Sequence, residues 1–230
     1  MLYREMTVNG SFYPDDDKEL KRYFSHFDGL YNQHFKKKQL NPVALIVPHA
    51  GYVYSGYTAS VAYKSLPNND VMTYVIIGPS HRIAFDGVSI CEADIYQTPL
   101  GNIQADTTLK DELKNKFNLK NTQEAHREHS TETQFPFIKH YQKNAKIIEL
   151  VYSNIDAQKL SKIIDYISNK KNIKVIISTD LSHFYNEQDA RQLDDICLNA
   201  IRNQDFKILH SGCEACGKKG VEALMLSAMK

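Results

Sequence analysis

The sequence carries almost no net charge: 28 Lys and Arg stand against 27 Asp and Glu in 230 residues, leaving +1. So weak a field argues against nonspecific nucleic-acid binding and favours a small or locally recognised partner. Long apolar runs are also missing. No stretch approaches the ~20 residues that span a bilayer, and the polar start Met1-Leu2-Tyr3-Arg4-Glu5 has no signal-peptide core. The expectation is a cytoplasmic protein with no membrane partner. Cysteine is scarce, limited to Cys91, Cys197, Cys213 and Cys216. The 42% hydrophobic content is enough to fold without crosslinks, so reduced thiols are expected. Repeats, low-complexity tracts and Pro-, Gly- or Ser-rich linkers are absent, which makes 1–230 one domain. A nucleophile elbow, a P-loop and a dinucleotide fingerprint are absent too. The acidic triplet Asp15 to Asp17 and the basic triplet Lys36 to Lys38 read as solvated faces.

What is present is an alternation. Short apolar runs rich in β-branched residues at 43–47, 74–77, 146–151 and 173–177 read as buried strands, with a weaker one at 87–91. Helical patterns lie at 56–66, 107–117, 132–142, 156–169, 187–203 and 217–229. Alternating strand and helix predicts an α/β fold of three layers, a mostly parallel or mixed central sheet with helices on both faces.

Chemistry gathers where strands end. The run 43–47 leads to Pro48, His49 and Gly51; the run 74–77 leads to Gly78, Pro79, Ser80 and His81; the run 173–177 leads to Ser178, Asp180 and His183. In open parallel sheets, ligands collect beyond the carboxyl ends of the strands. His49 and His81 are about one strand-helix-strand unit apart, so their strand ends fall near each other. Two imidazoles need a third ligand for an open metal site, and Asp180, Glu128 and the thiolates of Cys213 or Cys216 are candidates. Asp180 and His183 are placed to act as carboxylate and general base, unless Asp180 caps a helix starting at Leu181. His129, between Glu128 and Ser130, is a further pocket candidate, with capping by Ser130 or Thr131 as the alternative. The lone Cys213–Cys216 CxxC, flanked by Gly212 and Gly217, does not support a structural zinc site, and a redox dithiol is its other reading. His26, His34, His140 and His210 sit among polar neighbours and read as solvated.

These segments together resemble the Memo family, also called AmmeMemoRadiSam system protein B. The resemblance rests on Asn9-Gly10-Ser11-Phe12-Tyr13-Pro14, on Val47 through Gly56, on Gly78-Pro79-Ser80-His81, on Glu128 through Phe137, on Ser178 through His183 and on Ala215-Cys216-Gly217. It implies a fold similar to the LigB-type class III extradiol dioxygenases, with metal ligands His49, His81 and Cys216. It also implies that Asp180 and His183 line the site. Members of the family commonly continue into further sheet segments, so the final strands are expected to be missing from this chain.

Two histidines and a carboxylate hold Fe(II) in LigB-type enzymes, and a cysteine in the third place makes a softer site. The first expectation is a metal-dependent oxidoreductase, dioxygenase-like, holding one transition-metal ion, Fe(II) ahead of copper or zinc. His183 or His129 would move protons there. The family's association with phosphotyrosine peptides implies a binding module as an alternative, in which Arg82 and Arg127 would meet an anionic ligand. A zinc hydrolase is a third reading. The family also implies a pathway link to radical SAM proteins, with an unknown small-molecule substrate.

Overall fold

The computed structural model describes residues 1–36, 40–67 and 72–229. Its centre is an eight-stranded sheet formed by β1 (Tyr3–Arg4), β2 (Ala44–Val47), β3 (Thr73–Pro79), β4 (Val88–Ile90), β5 (Ile95–Tyr96), β6 (Ile103–Ala105), β7 (Lys146–Tyr152) and β8 (Ile173–Ser178). The spatial order is β1-β5-β6-β7-β3-β8-β2, with β4 also pairing β7. Most pairs are parallel; β4 with β7 and β5 with β6 are antiparallel. The sheet is therefore mixed, as the alternation predicted; three of the four strong runs became its central strands β3, β7 and β8, and the run 43–47 became β2 at its edge.

A strand covered on both faces is apolar at every position, and β3 is buried throughout. Val75 and Ile77 belong to one core, shared with Leu160 and Ile164 of α6 (Ala157–Ser168) and Val221 of α9 (Lys218–Ala228). Tyr74 and Ile76 belong to the other, with Phe24 of α1 (Asp17–His34), Tyr63 of α2 (Tyr52–Lys64) and Phe137 of α5 (Phe135–Tyr141). Successive side chains point to opposite faces, so one strand serves two layers. The remaining helices are α3 (Thr107–Phe117), α4 (His129–Glu132), α7 (Glu187–Asn203) and α8 (Phe206–Gly212).

The predicted helices at 107–117 and 187–203 have those bounds, whereas 132–142 is divided between α4 and α5. Helix α1 is an addition. Its buried stripe is Leu20, Phe24, Phe27 and Tyr31, each contributing about 1.5–3 kcal/mol on burial. Asp16, within the triplet read as a solvated face, accepts hydrogen bonds from the backbone N–H groups of Lys18 and Glu19 and so starts α1. In the basic triplet Lys36 is exposed, and Lys37 and Lys38 lie outside the described residues. Among the described residues no helix is long and apolar enough to cross a membrane.

Candidate metal centre

Strand β8 runs parallel between β3 and β2, with Ile177 beside Ile77 and Ser178 beside Val47. The loops after these three strands therefore open at one edge of the sheet. His49 follows β2, His81 follows β3 and Asp180 follows β8. The last element, α9, brings Cys216 to the same place. One ligand atom from each of His49, His81 and Cys216 lies within 4.8 Å of those from the other two. His49 Nε2 is 3.3 Å from Cys216 Sγ, and the two imidazole centroids are 5.3 Å apart.

Each imidazole is oriented from behind, which sets its tautomer. The Ser178 hydroxyl donates to the Ser130 carbonyl and accepts from Gln134 Nε2 at 3.0 Å. Its only proton is thus committed, so His49 Nδ1, 3.0 Å away, must be the donor to it. His49 Nε2 is left facing Cys216, the one ring nitrogen with no partner behind it. His81 Nδ1 lies 3.2 Å from Glu128 Oε1, and a carboxylate can only accept. With Nδ1 so committed, His81 Nε2 is the ring nitrogen left for the Cys216 side.

Glu128 is buried and gathers several donors: the backbone N–H groups of His81, His129 and Ser130, and His129 Nδ1 at 2.7 Å. Burial alone would raise its pKa, but the hydrogen bonds from His129 and His81 outweigh that and hold the carboxyl well below the usual range. It also caps α4, the role the sequence reading gave to Ser130 or Thr131. His129 stacks on Phe12 at 4.6 Å, and its centroid lies 4.6 Å from His81 and 5.3 Å from His49.

Asp180 starts no helix at Leu181. Its Oδ1 accepts from the backbone N–H groups of His49 at 2.7 Å and Ala50 at 3.1 Å, fixing the His49 turn. Its Oδ2 is 3.8 Å from His49 Nε2 and 3.9 Å from His183 Nε2. His183 is 40% exposed and stands at the rim. Arg82 and Arg127 are both exposed and line one cavity of about 720 Å³ with the buried Arg4.

Cys216 is placed by a close approach of backbones. Its N–H donates to the Asp180 carbonyl at 3.2 Å and its Sγ accepts from the Asp180 N–H at 3.3 Å. A Cβ on Gly217 would lie 2.6 Å from Thr179 Cβ and 2.9 Å from the Ser178 carbonyl, so only glycine admits the approach. Burial would raise the Cys216 thiol, yet the hydrogen bonds from His49 and His81 lower it to about 5. The same bond with Cys216, joined by Glu128, raises His81 to about 9. In the metal-free protein a proton is therefore held on imidazole nitrogen against the thiolate, and a bound metal ion would take that proton's place.

Spacing left Cys213 and Cys216 equivalent, but Cys213 is disulfide-bonded to Cys197, with 4.6 Å between their Cα atoms. This corrects the expectation of reduced thiols and removes the Cys213–Cys216 dithiol. The reason is packing of α8 against α7, which sets the two side chains together inside the core. Cys91 and Cys216 remain free.

A second buried grouping, Cys91, His126 and Glu149, was not singled out from sequence. Burial pushes the Cys91 thiol up to about 12. Arg4 supplies the cation there, 3.3 Å from Glu149 and 2.9 Å from Glu132, so this cluster is a structural ion network. Ser178, Gln134 and Phe12 were missed as well. All three fall inside or beside the motifs quoted above, but nothing in their spacing marks them as supports for a histidine. His26, His34, His140 and His210 are exposed, as read.

The donor set, two imidazoles and a low-pKa thiol, fits one transition-metal ion. A family model described as "Memo-like protein" matches residues 4–230. A MEMO1 family protein of Aquifex aeolicus is 31% identical over 228 residues, covering 94% of this chain and 83% of that protein. One of Methanobrevibacter smithii is 36% identical over 225 residues (90% and 79%), and one of Thermoplasma volcanium is 30% identical over 246 (100% and 87%). The chain belongs to the Memo-like family.

Proposed function

We propose that the protein is a metal-dependent oxidoreductase that holds one transition-metal ion, Fe(II) in preference to copper or zinc, on His49, His81 and Cys216. The observation that carries this reading is that both imidazoles have their Nδ1 atoms committed to partners behind them, while both Nε2 atoms turn toward one thiol with a pKa of about 5. A bound ion of this kind supplies electron transfer and coordination positions that the protein leaves open. A thiolate in the third place makes the set softer than two histidines and a carboxylate, and iron, copper and zinc all accept it.

The other groups hold and move protons. Glu128 keeps the protons on His81 Nδ1 and His129 Nδ1. Phe12 stacks on His129 and limits its rotation. Asp180 fixes the His49 turn and pairs with His183, which reaches solvent and can exchange a proton with water.

Protein purified anaerobically without an affinity tag and supplied with Fe(II) should carry about one equivalent of iron. His49→Ala, His81→Ala and Cys216→Ser should each remove it, and the loaded protein should consume O₂ with a catechol or another reductant. An empty site under these conditions defeats the metal assignment. Iron bound without O₂ consumption on any reductant defeats the oxidoreductase.

A further inference from the structure

A cavity of about 540 Å³ opens on the far side of the loop that follows His81, between α3, β4 and the start of α6. None of its lining residues belongs to the centre described above. Its floor is apolar: Phe85, Phe117, Leu119 and Ile155 are half-buried, and Ile163 is 3% exposed. Its rim carries Lys120, Lys159 and Lys162. None of these three ammonium groups has a carboxylate within ion-pairing distance among the described residues. The one acidic wall residue, Asp86, accepts a hydrogen bond from Asn154 at 2.8 Å.

Some lysines elsewhere on this surface find carboxylate partners. Lys21 pairs with Asp17, Lys64 with Asp28, Lys114 with Glu92 and Lys170 with Glu112. What sets the three rim lysines apart is that, with no such partner among the described residues, they surround one concave apolar surface. Lys159 and Lys162 stand nearly one turn apart on α6, and Lys120 faces them from the segment after α3. Its own backbone is tied to β4 by the hydrogen bond from Ile90 N–H to its carbonyl, so its position is fixed. An apolar body lying on Phe85, Phe117 and Ile155 would leave the water its surface now occupies, and a terminal anion would relieve the mutual repulsion of three like charges. The volume falls within the roughly 300–1,000 Å³ usual for small-molecule sites.

We propose that this cavity binds a monomeric amphiphilic anion, an acyl or aryl carboxylate or phosphate, with its apolar part on the floor and its charged end among Lys120, Lys159 and Lys162. The concave shape suits a single molecule better than a bilayer surface.

Titration calorimetry of the full chain with decanoate tests this. Decanoate should bind one to one, and decyltrimethylammonium and decanol should bind roughly tenfold more weakly or not at all. The triple variant Lys120→Gln, Lys159→Gln, Lys162→Gln should lose about tenfold in affinity with an unchanged melting temperature. Ile155→Glu, which sets a carboxylate in the cavity, should abolish binding. His49→Ala should bind decanoate like the parent, which separates this site from the proposed metal centre. Absence of decanoate binding overturns the proposal. So do equal affinities for the cation or the alcohol, an unaffected triple variant, or binding confined to anionic vesicles.

Discussion

At the residue scale the centre rests on the protonation of Cys216. A cysteine thiol ordinarily titrates near ~8.5, but here the hydrogen bonds from His49 and His81 favour the thiolate over the cost of burial. In the metal-free protein the thiolate absorbance near 240 nm should persist as pH falls and disappear only around pH 5. Metal uptake should weaken over the same range, because protons then compete for the sulfur. His49→Ala should move the step upward by removing the first of the two bonds. A parent protein whose thiolate appears only near ~pH 8.5 would contradict the placement of both histidines. Gly217 belongs to the same scale. With Thr179 and the Ser178 carbonyl so close, Gly217→Ala should cost about 1–3 kcal/mol in chemical denaturation and lower metal occupancy by shifting Cys216. A variant with full stability and full occupancy would show that the approach has room to spare.

At the element scale the crosslink between α7 and the end of α8 lies three residues before Cys216 and anchors the approach to α9. It closes a segment with sequence separation 16, for which the chain-entropy estimate is about 3 kcal/mol. Denatured, unreduced protein should show two reactive thiols, Cys91 and Cys216, and reduced protein four. Cys197→Ala should lower stability by an amount of that order. Four thiols before reduction would remove the crosslink. The elements themselves were legible to different degrees. The strands at the sheet centre were plain, because a strand buried on both faces must be apolar at nearly every position. The short strands β1, β5 and β6 have only two or three residues each, too few for a period to register. Helix α1 did carry its signal, the Leu20, Phe24, Phe27 and Tyr31 stripe, but polar residues dominate between those positions. Helix α8 is too short to show a stripe of its own.

At the scale of the whole molecule the N-terminal segment is locked under α4. Thr7 and Val8 donate backbone N–H groups to Glu132, Tyr13 donates its hydroxyl to the same carboxylate, and Arg4 spans Glu132 and Glu149. All three charged groups are 6% exposed or less. Arg4→Met should therefore cost about 3–5 kcal/mol in denaturant unfolding, since it leaves two buried carboxylates without their cation. A loss below about 1 kcal/mol would mean that other groups balance them. The sequence by itself determined the α/β alternation, the central strands and the residue types at their ends, because hydrophobic period and strand-end chemistry are local properties. Only the tertiary structure decided that β8 enters between β3 and β2, while the choice of Cys216 over Cys213, open to spacing and implied by the family resemblance, became a contact only when the layers packed. The tertiary structure alone assigned Glu128 and Ser178 to stand behind the two histidine rings. These are contacts between residues dozens to more than a hundred positions apart, set by how layers pack, and no spacing along the chain encodes them.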